Sequence, residues 1–564
     1  MKKIIECVPN FSEGRDMNII NQIAGESETV EGVKLLDVDP GSTTNRTVVT
    51  FVGEPEQVCE AAFRCIKKAQ ELIDMRKHKG DHPRFGATDV CPLVPVANIS
   101  MEETAAYARQ LAERVGKELN IPVYCYENAA FTDIRRNLAN CRQGEYEALK
   151  ERICTEAWKP DFGPDTFSES VAKSGATAVG ARDFLVAVNY NLNTTSTRRA
   201  NAIAFDVREK GRPKREGGSV VGKIIKDEQG EPVMIPGTLK ATKAIGWFIK
   251  EYGIAQVSMN MTNLSVTPLH VAFDEVCRCA ALRGVRVTGA EIVGLIPKKV
   301  LIDAGVYYLK KQQRSCGIAE SEIIKIAVKS MGLDDLKPFN PKEKVIEYLL
   351  EADNKEEKLV DMTCTAFAEE TASESPAPGG GSISAYMGAL GASLGTMVAN
   401  LSSHKAGWDE QWETFSNWAE KGQRIKNDLL FLVDEDTRSF NKIMEAFGMP
   451  KSNDEEKAAR SAAIQTATKY AIEVPFHTMQ KAFEVFDICK AMVEIGNPNS
   501  VTDAAVGALC ARSAVLGAHL NVRINAGSLK DKAFVDDILA KAEKIANDAQ
   551  TAEKEILDLA NTKL

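Results

Sequence analysis

The chain has 564 residues with 70 Lys+Arg against 79 Asp+Glu, a net charge of −9. At roughly 150 residues per domain it should carry about three or four compact units. Hydrophobic residues at 44% and charged residues at 26% exclude wholesale disorder, and the negative balance offers no overall field to hold nucleic acid or an anionic membrane surface.

The opening Lys2-Lys3-Ile4-Ile5-Glu6 is charged too soon for a signal peptide, and no run reaches the ~18 continuous apolar residues of a membrane span. The expected address is the cytoplasm. Thirteen cysteines are scattered without a framework, which reads as reduced thiols in cores. Cys277 and Cys279 diverge on a helical pattern, and the nearest histidine is His270, so no metal site is expected.

From the start to about residue 330, short apolar runs alternate with amphipathic stretches, as in mixed α and β structure. Strands are expected at 34–39, 46–52, 88–96 and 122–126. Val58, Ala62, Cys65, Ile66, Ala69, Leu72 and Ile73 predict a helix over 55–75, its proline tolerated in the first turn. A second α/β unit begins near Gly180, with strands at 184–190, 254–261 and 285–289 and helices around 268–282 and after Pro297. Asp227-Glu228-Gln229-Gly230 lies between two apolar runs as a hairpin turn. Beyond about Pro338 strand patterns vanish and long Ala-rich and charged periodic segments predict a helical bundle. The expected organisation is multidomain: two α/β subdomains (1–179 and 180–337), a joining region (338–375) and an all-α helical bundle (376–564).

Three segments could carry chemistry. In Gly80-Asp81-His82-Pro83-Arg84-Phe85-Gly86, Pro83 disfavours helix at His82 and the glycines allow a sharp turn, so the imidazole is presented from a loop as a proton shuttle. Arg84 beside it could hold an anionic substrate; the alternative is a solvated loop histidine. Asp436 shares a helical face with Leu429, Leu432, Val433, Phe440 and Ile443, whereas Asp434 and Glu435 fall off that face and are expected in solvent. A carboxyl in an apolar stripe has its charged form disfavoured and suits a general acid or base; a buried Asp satisfied by neighbouring hydroxyls is the alternative. Finally, Gly379, Gly380, Gly381 and Ser382 open a small-residue helix whose free N–H groups could seat a carboxylate or phosphate, although the pattern matches no nucleotide fingerprint. A flexible linker with tight helix packing would produce the same glycines. The loop Pro9-Asn10-Phe11-Ser12-Glu13-Gly14-Arg15 has ligand-loop character, and Lys210, Arg212 and Lys214 form a cationic run that is either solvated or attracts an acidic substrate.

Cys7-Val8-Pro9-Asn10-Phe11-Ser12-Glu13-Gly14, Leu36-Asp37-Val38-Asp39, Asn45-Arg46-Thr47-Val48, His78-Lys79-Gly80-Asp81-His82-Pro83-Arg84 and Asp161-Phe162-Gly163-Pro164 together resemble glutamate formiminotransferase. The run 376–382 and Leu432-Val433-Asp434-Glu435-Asp436 resemble formimidoyltetrahydrofolate cyclodeaminase. In order and spacing, essentially the whole chain resembles the bifunctional formiminotransferase-cyclodeaminase family.

The resemblance implies a cytoplasmic, homo-oligomeric folate enzyme of histidine degradation. Its first half would move a formimino group from N-formimino-L-glutamate to tetrahydrofolate; its second would cyclise the product to methenyltetrahydrofolate with loss of ammonia. The transferase histidine falls on His82 and the cyclodeaminase aspartate on Asp436. Folate contacts fall on Gly163, Pro164, Asp165, Thr166, Phe167, Ser174 and Gly175, with Asn10, Asp39 and Arg84 as further candidate contacts. Tetrahydrofolate, polyglutamylated, would be the carrier, and no metal is implied. A folate-binding oligomer with only the transferase centre active is the alternative.

Overall fold

The computed structural model describes residues 3–42, 45–80, 84–218, 222–351 and 357–564. It divides into two units, Met1–Val300 with Met331–Asp353, and Leu301–Ser330 with Asn354–Leu564.

The first unit begins with a mixed sheet, seven-stranded among the described residues: β1 (Ile4–Cys7), β2 (Asn10–Phe11), β3 (Lys34–Gly41), β4 (Arg46–Gly53), β5 (Thr88–Ala97), β6 (Val123–Glu127) and β7 (Thr177–Ala181). β1 and β2 act as one strand interrupted at Pro9, which has no N–H to donate; both pair antiparallel with β4 and β5. β5, β7 and β6 run parallel, and β3 forms an edge on β4. Helices α1 (Met17–Glu28), α2 (Pro55–Leu72) and α3 (Met101–Leu119) cover one face, where Ile23, Val58 and Leu111 meet Cys7, Phe51 and Leu93. The short α4 (Leu138–Cys141), α5 (Glu145–Arg152) and α6 (Glu169–Ser174) follow; Cys141, Leu149 and Val171 pack with Val90, Tyr124 and Tyr126 in a second cluster.

An antiparallel sheet in the order β11-β12-β8-β13 follows, formed by β8 (Val186–Leu192), β11 (Thr242–Ile249), β12 (Ile254–Met261) and β13 (Val287–Val293). Helix α7 (Thr197–Val207) packs on β11 and β12, and α8 (Leu269–Ala281) places Phe273 against Tyr190. The expected hairpin is present: Gly230 N donates to Asp227 O (3.0 Å), within the excursion whose two-residue strands β9 (Arg212–Pro213) and β10 (Met234–Ile235) pair.

Where the sequence pattern suggests α/β texture up to about residue 330, the structure groups Leu301–Ser330 with the helical unit. This segment holds most of α9 (Lys298–Lys311) and α10 (Glu320–Met331). The Gly317 Cα lies so close to helix 412–448 that an added Cβ would sit 2.2 Å from the Ala419 Cβ, and Cys316 N donates to Ser416 Oγ (2.9 Å). The region 338–375 contains short helices α11 (Pro341–Lys344), α12 (Ile346–Glu351) and α13 (Cys364–Thr371).

The bundle consists of α14 (Gly380–Ser403), α15 (Trp412–Gly448), α16 (Asp454–Phe483), α17 (Val485–Ile495), α18 (Val501–Ala526) and α19 (Lys532–Asn561). The small residues of α14 allow close packing: a Cβ at Gly391 would meet Gly507 O at 2.8 Å, and one at Gly395 would meet Ile488 at 2.9 Å. Two helical stretches, Gly380–Ser403 and Pro498–Ala526, are long and apolar enough to cross a membrane by length and composition, and both contribute buried residues to the bundle core.

Candidate functional sites

In the bundle, two of the sequence candidates meet. Gly379 caps α14 in extended conformation, so the first N–H groups of the helix are open. The Asp436 carboxylate of α15 occupies this end: Ser382 N donates to its Oδ2 (2.9 Å), and Ser382 Oγ approaches the same oxygen at 3.3 Å while donating to Val433 O at 2.8 Å. An added Cβ on Gly381 would lie 2.1 Å from Asp436 Oδ1, so only glycine allows this approach. The glycine run thus receives a carboxylate, and the carboxylate is the protein's own. Burial raises the Asp436 pKa above the usual carboxylate range, and the two Ser382 contacts oppose the shift. Asp436 is half-buried, and Oδ1 has no hydrogen-bond donor among the described residues. Asn521 of α18 flanks the entrance, its Nδ2 3.4 Å from where a Gly380 Cβ would stand.

The apolar stripe around Asp436 is only partly as expected. Leu429, Leu432 and Val433 are buried, but Phe440 is 41% exposed. Asp434 and Glu435, expected in solvent, are buried. The correction has a physical reason: each finds donors from another segment. Asp434 Oδ1 accepts from Leu359 N (2.6 Å), and burial raises its pKa. Glu435 is desolvated too, but bonds from the Tyr470 hydroxyl and from Arg438 Nη1 (2.9 Å) hold its pKa below normal. A helical-phase argument sees only one helix and misses both partners.

In the first unit, His82 lies outside the described residues; its flanks are clear. The segment after it is clamped from two sides. Ser12 N donates to Ala87 O (2.9 Å) and Ser12 Oγ to Gly86 O (2.8 Å), while Ala87 N donates to Ser174 O (2.7 Å) and Ala176 N to Phe85 O (3.1 Å). Gly86 and Gly175 are bridged so closely that a Cβ on Gly175, at φ +67°, would sit 2.5 Å from Gly86 Cα. Candidates Ser174 and Gly175 are therefore adjacent through backbone to Phe85–Ala87, and the Ser174 hydroxyl is turned to Gly175 O (3.1 Å).

Gly163 has φ +84°, and its Cα lies against the Ile121 carbonyl at a distance that leaves no room for a Cβ. Asp165 pairs with Lys159 (3.2 Å), Thr166 is exposed, Pro164 is half-buried and Phe167 packs beside Val171 and Tyr124. Arg84 is engaged by Glu147 and Glu145, and the buried Asn10 amide donates to Val8 O (2.9 Å). Asp39 is exposed on the edge strand.

Asn45 and His78 lie in family-like motifs that give them no individual role, and Asp89 lies outside any motif. Asn45 joins two loops, accepting from Gly14 N (3.0 Å) and donating to Lys79 O (3.0 Å), while its carbonyl bonds His78 Nε2 (2.8 Å). Burial lowers the His78 pKa, and its Nδ1 is buried without a partner. Asp89, 1% exposed, meets Arg142 Nη1 at 2.6 Å. A register shift between Asn10 and Phe11 against β5 leaves Asp89 as the bulged residue, the device that re-aims a strand side chain. No group of His, Cys, Asp and Glu able to hold a metal occurs among the described residues.

Residues 4–182 match the family model of the formiminotransferase domain, N-terminal subdomain; 187–351 match the formiminotransferase domain and 363–544 match formiminotransferase-cyclodeaminase. A Gallus gallus protein named formimidoyltransferase-cyclodeaminase is 40% identical over 559 residues, 99% of each chain. The chain belongs to the formiminotransferase-cyclodeaminase family. Within that family setting, a Thermoplasma acidophilum glutamate formimidoyltransferase is 44% identical over 309 residues, covering 54% of this chain and 92% of its own. A Methylorubrum extorquens methenyltetrahydrofolate cyclohydrolase is 36% identical over 202 residues, 36% of this chain and 97% of its own. Formiminotransferase-cyclodeaminase architecture thus accounts for both the α/β unit and the bundle.

Proposed function

We propose that this chain is a bifunctional folate enzyme of histidine degradation. The first half transfers the formimino group of N-formimino-L-glutamate to tetrahydrofolate. The bundle then cyclises 5-formimidoyltetrahydrofolate to 5,10-methenyltetrahydrofolate and releases ammonia. The observation that carries the second activity is the Asp436 carboxyl seated on the first turn of α14, desolvated yet with one oxygen left for a substrate.

In the transfer step a folate nitrogen attacks the formimino carbon, a tetrahedral intermediate forms, and the glutamate nitrogen leaves after protonation. His82 takes one proton and returns another. In cyclisation a second folate nitrogen attacks the same carbon. Asp436 accepts its proton at Oδ1 and delivers one to the departing ammonia, with Oδ2 fixed by Ser382.

The protein is further proposed to be cytoplasmic, to use polyglutamylated folate and to assemble as a homo-oligomer. Exposed Phe440, Met444 and Phe447, spaced along one face of α15, support a covered bundle surface.

Purified protein with tetrahydrofolate and N-formimino-L-glutamate should release ammonia and form the methenyl chromophore. Formimino transfer without ammonia would leave only the transferase, and neither signal would overturn the reading.

A further inference from the structure

Asn521 stands at the Asp436 entrance with half of its amide uncommitted, and the packing of α18 on α14 sets its place. One turn earlier on α18, Gly517 lies so close to α14 that an added Cβ would strike the Ser384 hydroxyl, which itself donates to Gly380 O (2.7 Å). One turn on along α18 and one turn back along α14, the Asn521 amide meets Gly380. On the following turn Asn525 Nδ2 donates to Ala471 O of α16 (2.7 Å), which fixes the rotation of α18 from another side.

The orientation of the amide follows from its partner. Nδ2 donates to Gly517 O (2.9 Å), and a carbonyl only accepts, so nitrogen and not oxygen faces it. Oδ1 then accepts from no group among the described residues and stands 3.7 Å from where a Gly380 Cβ would be. Asparagine is a weak helix former, and a packing role for this half-buried amide would commit both of its ends. Asp436 Oδ1, beside Gly381, is likewise without a donor. Two uncommitted oxygens therefore flank neighbouring residues of one helix turn. One is charged, one is neutral, and both only accept.

We propose that Asn521 Oδ1 accepts an N–H of the formimino nitrogen beside Asp436, and so selects folates bearing a formimino group over folates bearing a formyl group. This assignment rests on the cyclodeaminase reading. A protonated formimino nitrogen carries two N–H bonds, one for each free oxygen. An amide oxygen takes a hydrogen bond without taking the proton, so Asn521 holds the nitrogen while Asp436 handles proton transfer, until the carbon–nitrogen bond breaks and ammonia departs with the electron pair. A formyl group would put a carbonyl oxygen in the same place. Its lone pairs would meet two acceptors and leave both unpaired, the arrangement by which a polar site rejects an analogue that lacks the donor.

The test follows ammonia release by the full chain from supplied 5-formimidoyltetrahydrofolate, with 5-formyltetrahydrofolate as competitive inhibitor, in the parent and in Asn521→Leu. The substitution keeps the bulk of the side chain and removes the acceptor. The expected result is a fall of about tenfold or more in kcat/KM, with the inhibition constant of the formyl folate as in the parent or tighter. Circular dichroism checks the fold, and Asn521→Ala, read in the same way, replaces the first variant if that one does not fold. An unchanged kcat/KM overturns the proposal. So does a weakening of the formyl folate as large as that of the substrate, which is what a displaced helix would give. A parent that releases no ammonia overturns the cyclodeaminase reading and this proposal with it, whereas the other two outcomes overturn the proposal alone.

Discussion

Ser382 and Asp436, 54 residues apart, are joined by a backbone N–H to Oδ2 bond of 2.9 Å that places a carboxylate on the open first turn of α14. The helix entrance that the sequence offers to a substrate anion is therefore occupied from within. Its role passes to the carboxyl, which is held at one oxygen and available at the other. The hydroxyl of Ser382 is nearer to Val433 O than to Asp436, so the backbone donor is the firmer contact.

Ser382→Ala removes a contact that lowers the Asp436 pKa and keeps the backbone one. The carboxyl should become a weaker acid, moving the acid limb of the cyclodeaminase pH–rate profile upward. The lost bond corresponds to about 1 kcal/mol, or roughly fivefold in rate near that limb. The profile, measured with supplied formimidoyl-folate, should move while formimino transfer stays unchanged.

Gly381→Ala should act more strongly. Its Cβ would fall 2.1 Å from Asp436 Oδ1 and 2.4 Å from Cγ, so the carboxyl must swing out of place. A displacement of this size costs about a hundredfold in an oriented reaction. Ammonia release should fall accordingly, with the transferase activity preserved as the folding control.

His82→Ala should abolish formimino transfer while sparing cyclisation of supplied intermediate, and Asp436→Asn should do the reverse. Separate assays of the two half-reactions check both. Loss of both activities in either folded variant would contradict two independent centres.

Glu6 gives a pH-dependent stability in the α/β unit. Burial pushes its pKa from 4.5 up to about 7, with Arg182 opposing the shift. The unfolded carboxyl ionises near its ordinary value while the folded one retains its proton. Stability from this group is full below 4.5 and is lost as pH rises toward 7. Two and a half pH units correspond to about 3 kcal/mol. Glu6→Gln should therefore be more stable than the parent at pH 8 and similar at pH 4, as read from urea unfolding midpoints.

Gly163→Ala combines a left-handed φ of +84° with a Cβ 2.2 Å from Ile121 O. A loss of about 3 kcal/mol is expected, seen as a lower melting transition for the α/β unit with the bundle transition unmoved.

The elements were largely readable because their signals are local. The amphipathic spacing over 55–75 matches α2 (Pro55–Leu72), and 254–261 coincides with β12. Asp436 could be picked out because helical phase is also local. Its partner Ser382 could not be assigned to it, since nothing in either segment encodes their meeting. The same limit explains Asp434 and Glu435, whose donors Leu359 and Tyr470 come from other elements. It also hides Asp89, aimed by a bulge that depends on strand register.

The sequence alone determined which stretches are strands or helices, where mixed structure gives way to a bundle, and which family the motifs resemble. These follow from periodicity, turn chemistry and motif order along the chain. Only the tertiary structure decided that the glycine entrance belongs to Asp436, that Ser174 and Gly175 abut Phe85–Ala87 through backbone, and that three separated basic segments, the run 212–215 among them, share one cavity. Such relations depend on distances between residues far apart in the chain, and those distances are set by packing.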